Sequence, residues 1–125
     1  MDKQAFMAIK PLVKAIEVPE FGDTVYVKKF SAGERITFLR NMAKSEVTDN
    51  QFEGSANTIS EMVKVLLLCI SDENGARVFS ESEEDYQMLV SQDSKAIELL
   101  FNEAIEFNGL GGEKEAIKNS ETSQN

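Results

Sequence analysis

Ile59-Ser60-Glu61-Met62-Val63-Lys64-Val65-Leu66-Leu67-Leu68-Cys69-Ile70 is the most apolar stretch of the chain, and from Val65 to Ile70 it carries no charge. A helix with apolar residues on nearly every face has to be enclosed by other elements. The stretch is too short to cross a bilayer, which takes roughly 20 apolar residues. A buried strand would give a similarly short apolar run. Two features favour helix: Leu, Met and Lys outnumber the β-branched residues, and Thr58 with Glu61 forms a capping-box pattern at the start. The reading is a central helix over 57–71, enclosed by the rest of the chain.

On its N-terminal side, Thr24-Val25-Tyr26-Val27-Lys28-Lys29-Phe30 alternates with a period of two, as a strand does. The weaker segment Val13-Lys14-Ala15-Ile16-Glu17-Val18 precedes it across Pro19-Glu20-Phe21-Gly22-Asp23, which has turn chemistry. Together they predict an antiparallel hairpin over 13–30. A lone hairpin is marginal in water, so it should lean on the helices, and its edge is a plausible contact surface. Residues 1–12 are expected as a short helix or an extended arm. Ser31-Ala32-Gly33-Glu34 is another capping box, opening a helix over 32–44 whose inward side is expected to carry Ile36, Leu39, Met42 and Ala43. Residues 45–56 are mostly polar and read as a loop.

On the C-terminal side, Asp72-x-Asn74-Gly75 superficially suggests a calcium loop. The fifth position is Ala76, which has no side-chain oxygen, and the sixth is Arg77 where a sharp turn needs glycine, so a plain turn is expected. Ser80 or Ser82 can cap a helix over 81–91, with Glu83, Glu84 and Asp85 against its positive end and Tyr86, Leu89 and Val90 inward. A last helix over 94–108 has Ile97, Leu100, Phe101, Ala104 and Ile105 on one face and ends at Asn108-Gly109. The polar residues 111–125 read as a flexible tail. The expected fold is α+β, mainly α: one domain over 1–110, with an N-terminal hairpin followed by about four helices around the apolar one.

Charge divides the chain. Residues 1–60 hold eight basic and eight acidic residues, whereas 61–125 hold five against fourteen, which is the whole of the net −9. An acidic half opposes nucleic acid binding and favours solubility and a basic partner. The commoner meaning of such a bias is a solvated face. With one cysteine, Cys69, no intrachain disulfide and no multi-cysteine metal site can form. Histidine is absent, which removes the usual general base and the commonest metal ligand. Gly109-Leu110-Gly111-Gly112 follows a helix where a phosphate loop would open one. Neither a signal peptide nor a membrane span is evident at the N-terminus, so a cytoplasmic, cofactor-free protein is expected, one that is not an enzyme and works by contact.

The ordered set Val18-Pro19-Glu20-Phe21-Gly22 leading into Val25-Tyr26-Val27, then Phe30-Ser31-Ala32-Gly33-Glu34-Arg35, Asp72-x-Asn74-Gly75-x-x-Val78-Phe79, Asn108-Gly109-Leu110 and Lys118-Asn119-Ser120 resembles the tail assembly chaperones of long-tailed bacteriophages and prophages. The likeness covers most of the chain but not the polar stretch 45–56. It implies a protein that acts in tail morphogenesis in the host cytoplasm without staying in the virion. Such a protein keeps the tape measure protein soluble and helps recruit tail tube subunits. A homo-oligomer is compatible with this role, and many such genes also yield a longer frameshifted product. The candidate contact residues are Phe21, Tyr26 and Phe30 around the hairpin and Phe101 and Phe107 on the last helix, although each aromatic would serve a core equally well. Glu113–Asn125 is a second candidate contact. Two rival readings are a structural tail component, such as a connector or completion protein, and a small regulatory protein that binds a host factor.

Overall fold

A computed structural model describes the backbone of residues 1–45 and 51–110 and the side chains of residues 1–43 and 58–110. The elements, in order, are α1 (Lys3–Met7), β1 (Val13–Val18), β2 (Asp23–Lys28), α2 (Ala32–Ser45), α3 (Gln51–Cys69), β3 (Ile70–Ser71), α4 (Glu83–Val90) and α5 (Ser94–Phe107). The fold is α+β and mainly α, with the hairpin ahead of the principal helices. α3 is the central element: α2, α4 and α5 all pack on it, and α5 also lies against β1 and β2. Val63, Val65, Leu66, Leu67, Leu68 and Cys69 of α3 are all buried, while Lys64 reaches solvent. At about 25 cal/mol per Å² of apolar area removed from water, this run is the main source of burial energy for the domain.

The hairpin pairs Ile16 with Val25, Lys14 with Val27 and Val18 with Asp23. Directly opposed residues share a face, so Ile16, Val18, Val25 and Val27 form the apolar side of the ribbon. Lys14 lies on that side too and bonds Glu103 of α5 at 2.6 Å. The turn closes through Phe21 and Gly22 N–H groups donating to the Val18 carbonyl at 3.0 Å, with Gly22 at φ 64°.

Helix ends follow the local chemistry. Ser31 Oγ accepts from Glu34 N at 3.1 Å while Glu34 Oε1 accepts from Ser31 N at 2.8 Å, the reciprocal box that opens α2. Ser82 caps α4 by accepting from Asp85 N, and Asp93 caps α5 by accepting from Ala96 N. At the end of α5, Leu110 N donates to Ile105 O and Gly109 N to Glu106 O, a Schellman closure with Gly109 at φ 66°. Asn108 then ties this end to the sheet: its Oδ1 accepts from Phe30 N at 2.7 Å and its Nδ2 donates to Lys28 O at 3.2 Å.

Several sequence expectations need correction. The apolar run does not stay helical to residue 71: the helix stops at Cys69, and Ile70–Ser71 becomes a third strand, pairing with Val27 and Tyr26 of β2. A strand of two residues has no periodicity of its own, and it is demanded by the open edge of β2. α3 also starts at Gln51, so Thr58 lies inside the helix and most of the expected loop is helix. Once nucleated by the buried segment, a helix extends into polar residues at one hydrogen bond per residue. On α2 it is Phe38 that is buried, while Ile36, Leu39, Met42 and Ala43 are exposed. The expected inward side was therefore rotated by part of a turn. On α4, Val90 is exposed, leaving Leu89 and the half-buried Tyr86 to face the core; Tyr86 pairs its hydroxyl with Ser60 Oγ at 2.9 Å. The expectations for residues 46–50 and for the tail 111–125 fall outside the described residues.

Candidate partner-binding site

Three segments that are far apart in sequence meet around one apolar groove with a volume of about 310 Å³. Phe21, at the hairpin turn, and Tyr26, on β2, form one side. Val78 and Phe79 after β3 form another, and Met88 on α4 closes the third. The floor is core: Ile70, Leu89, Ile97 and Leu100. Val78 is 56% exposed and Met88 48%, so two large aliphatic side chains stand in water at its rim. The turn that delivers Val78 is closed by hydrogen bonds. Asp72 Oδ1 accepts from Asn74 N at 2.8 Å and from Ala76 N at 3.0 Å, Gly75 supplies φ 85°, and Val78 N donates back to Ile70 O at 3.1 Å.

Of the five aromatic residues singled out in the sequence, the structure brings two together here. Phe21 is exposed on the groove and Tyr26 is half-buried in it. Phe30 instead packs on Phe38, with ring centroids 5.9 Å apart. Phe101 and Phe107 are half-buried against the core, and Lys29 Nζ lies 4.4 Å from the Phe107 ring centroid while bonding the Phe107 carbonyl. Sequence reasoning missed Val78 and Met88. A signal existed, since Met88 lies on α4 outside its apolar stripe and Val78 follows a turn, but nothing local in the sequence says that these segments converge.

Away from the groove lining, charged groups join the elements to one another. Lys28, at the end of β2, is buried and paired with Glu34. Arg77 approaches the other Glu34 oxygen at 3.7 Å and donates to the Leu67 carbonyl at 3.0 Å. Lys14 has its pKa raised, chiefly by the hydrogen bond to Glu103. Burial pushes the Cys69 thiol up to about 12, so it is an inert packing group and not a nucleophile. No group of three or more Cys, Asp or Glu side chains that could hold a metal occurs among the described residues. No described helix is long and apolar enough to cross a membrane. What this arrangement offers chemically is contact: an apolar recess on a charged body.

The phage tail assembly chaperone family matches residues 7–124, and the chain belongs to that family. Among solved structures, it is similar to the tail assembly chaperone of bacteriophage HK97. The two share 17% identity at a TM-score of 0.52, over 79% of this chain and 94% of that one, which is a likeness of fold. No curated protein matches the chain in sequence.

Proposed function

We propose that this chain acts during tail morphogenesis in the host cytoplasm by binding the tape measure protein, keeping it soluble and helping to recruit tail tube subunits, and that it leaves before the virion is complete. Family membership supports a role in tail assembly, which is a binding role and not a catalytic one. The observation that carries the finer reading is the apolar groove, with Phe21, Val78 and Met88 exposed on a chain of net charge −9. A holder of aggregation-prone helices needs such a combination: apolar surface for the client and like charge to keep the complex dispersed. Residues 113–125 are a second candidate contact for the client.

The test is co-expression with the tape measure protein of the same tail operon, followed by pull-down and by analysis of purified particles. Binding, a gain in soluble tape measure protein and absence from virions are expected. Stoichiometric retention in mature particles would instead make the chain a structural tail component.

A further inference from the structure

The first twelve residues form an arm with no buried residue. Met1, Phe6, Met7, Ile9 and Leu12 are between 59% and 88% exposed, and the residues among them are exposed as well. The arm nonetheless has a defined shape. Asp2 Oδ1 accepts from Ala5 N at 2.8 Å to open α1, and Ile9 N donates to Phe6 O at 3.3 Å to continue its last turn. At the base, Pro11 lies against Gly75 and the Leu12 carbonyl accepts from Lys29 N at 2.9 Å. An isolated helix below roughly 12–15 residues is marginal in water, and short helices draw their stability from packing an apolar face. α1 has five residues and buries none of them, so its own chain supplies little of that packing.

Three other places on the described surface carry exposed large apolar side chains. Ile36 and Leu39 lie on the outer side of α2 beside exposed Arg35 and Arg40. The arm carries Lys3 and Lys10, and its one acid, Asp2, is committed to the helix cap, so like charges disfavour that pairing. Ile59 and Val90 flank a recess of about 60 Å³, against about 310 Å³ for the groove of Phe21, Val78 and Met88. No charged side chain lines the groove, so an apolar knob enters it without taking an ion out of water.

We propose that the groove bounded by Phe21, Tyr26, Val78 and Met88 receives the N-terminal arm of a second copy of this chain. Phe6 and Ile9, neighbours at i and i+3, are the knob, with Met7 beside them and Lys3 and Lys10 left in water. A second copy is the occupant because every copy brings both halves of the contact. The areas also agree. At roughly 200 Å² for a fully exposed large side chain, the arm offers on the order of 700 Å² of apolar surface, close to the about 800 Å² that each partner buries in a standard interface. None of residues 1–12 lines the groove of its own chain, and the arm is held at its base by Gly75 and Lys29. An arm already helical and anchored loses less freedom on docking than a loose one. The contact between copies stands apart from the client-binding role proposed above. One consequence rests on that role: arm and client compete for the groove, so binding a client frees the arm.

The experiment follows the full chain by sedimentation velocity over about a hundredfold range of concentration, since self-association obeys mass action. The parent's sedimentation coefficient is expected to rise across that range. Phe6→Glu on the arm and Met88→Glu in the groove, both at exposed positions, should each raise the concentration needed for association by about tenfold or more, with unchanged circular dichroism. Leu39→Glu on α2 should behave as the parent does. The decisive sample is an equimolar mixture of the Phe6→Glu and Met88→Glu chains. One retains an intact groove and the other an intact arm, so the mixture should form a dimer of one copy each where neither variant alone associates. A parent that stays monomeric throughout, association lost in Leu39→Glu but kept in Phe6→Glu, or a mixture no more associated than its components would overturn the proposal. Amide signals of Tyr26, Val78 and Met88 that differ between parent and Phe6→Glu while both are monomeric would mean that the chain fills its own groove, which also overturns it. Complementation in the mixture without any gain in soluble tape measure protein from the parent would leave the contact between copies standing and count against the client-binding role.

Discussion

Gly75 occupies the turn after β3 at φ 85°, and a Cβ placed there would lie 2.7 Å from Pro11 Cγ and 3.1 Å from the Pro11 carbonyl oxygen. The neighbouring Leu12 carbonyl accepts from Lys29 N at 2.9 Å, so Pro11 has little room to retreat. Gly22 has a similar φ of 64°, but nothing lies within 4 Å of the Cβ it would gain. Gly22→Ala should therefore cost only the left-handed backbone term of about 1–2 kcal/mol, whereas Gly75→Ala adds a steric clash and should cost clearly more. Urea unfolding midpoints of the pair check this; equal losses would contradict the close approach of Pro11. Cys69 makes a different kind of prediction. Its folded pKa of about 12 lies above the ordinary 9.0 because burial disfavours the thiolate. Above pH 9 the unfolded chain gives up a proton that the folded chain keeps, so the folded state binds more protons and stability falls with rising pH. This contribution is complete below about pH 9 and is lost as pH climbs toward 12. Cys69→Ala, whatever it costs at neutral pH, should flatten that alkaline fall in the unfolding midpoint; an unchanged slope would contradict it.

At the scale of elements, the α2 surface separates what the sequence could say from what it could not. The capping box at Ser31 and Glu34 was legible because both partners lie within one turn. Which side of α2 faces inward was not, because Ile36, Leu39 and Met42 make as good a stripe as the one centred on Phe38. Only α3 chooses between them. Phe38→Ala should cost about 3–5 kcal/mol, while Leu39→Glu should stay within about 0.5 kcal/mol. The reverse order in denaturation experiments would restore the inward stripe expected from sequence. β3 escaped for a related reason: Ile70 and Ser71 are the end of an apolar run, and only the edge of β2 makes them a strand. β1 and α5 were readable from their periods of two and 3.6, since each has a buried and an exposed side, whereas β2 alternates in sequence but buries Val27 and Lys28 side by side at its end. Between elements, Lys28, Glu34 and Arg77 join β2, α2 and the turn after β3. Glu34→Gln leaves a buried ammonium without its carboxylate and should cost about 3–5 kcal/mol. Adding Lys28→Met should return part of that loss, a non-additivity that a double-mutant cycle would read directly.

For the molecule as a whole, the asymmetry of charge was plain in the sequence and the groove was not. Phe21 and Tyr26 were singled out as aromatics near a hairpin edge, but Val78 and Met88 come from segments about 50 to 70 residues further along, and only the packing of α4 and the β3 turn around α3 brings them alongside. Phe30, Phe101 and Phe107 drew attention for the same chemical reason and are packed against the core, where an aromatic side chain is just as well placed. The resulting body has a tightly filled centre, an acidic half and an apolar recess between three segments. That combination is what the proposed function, holding another chain, calls for. The most direct measurement is the soluble fraction of the tape measure protein when it is co-expressed with the parent chain, with Met88→Glu, and with no partner. The account predicts a high soluble fraction with the parent and a value near the partner-free level with a folded Met88→Glu variant. A tape measure protein that stays insoluble beside the folded parent chain would contradict it.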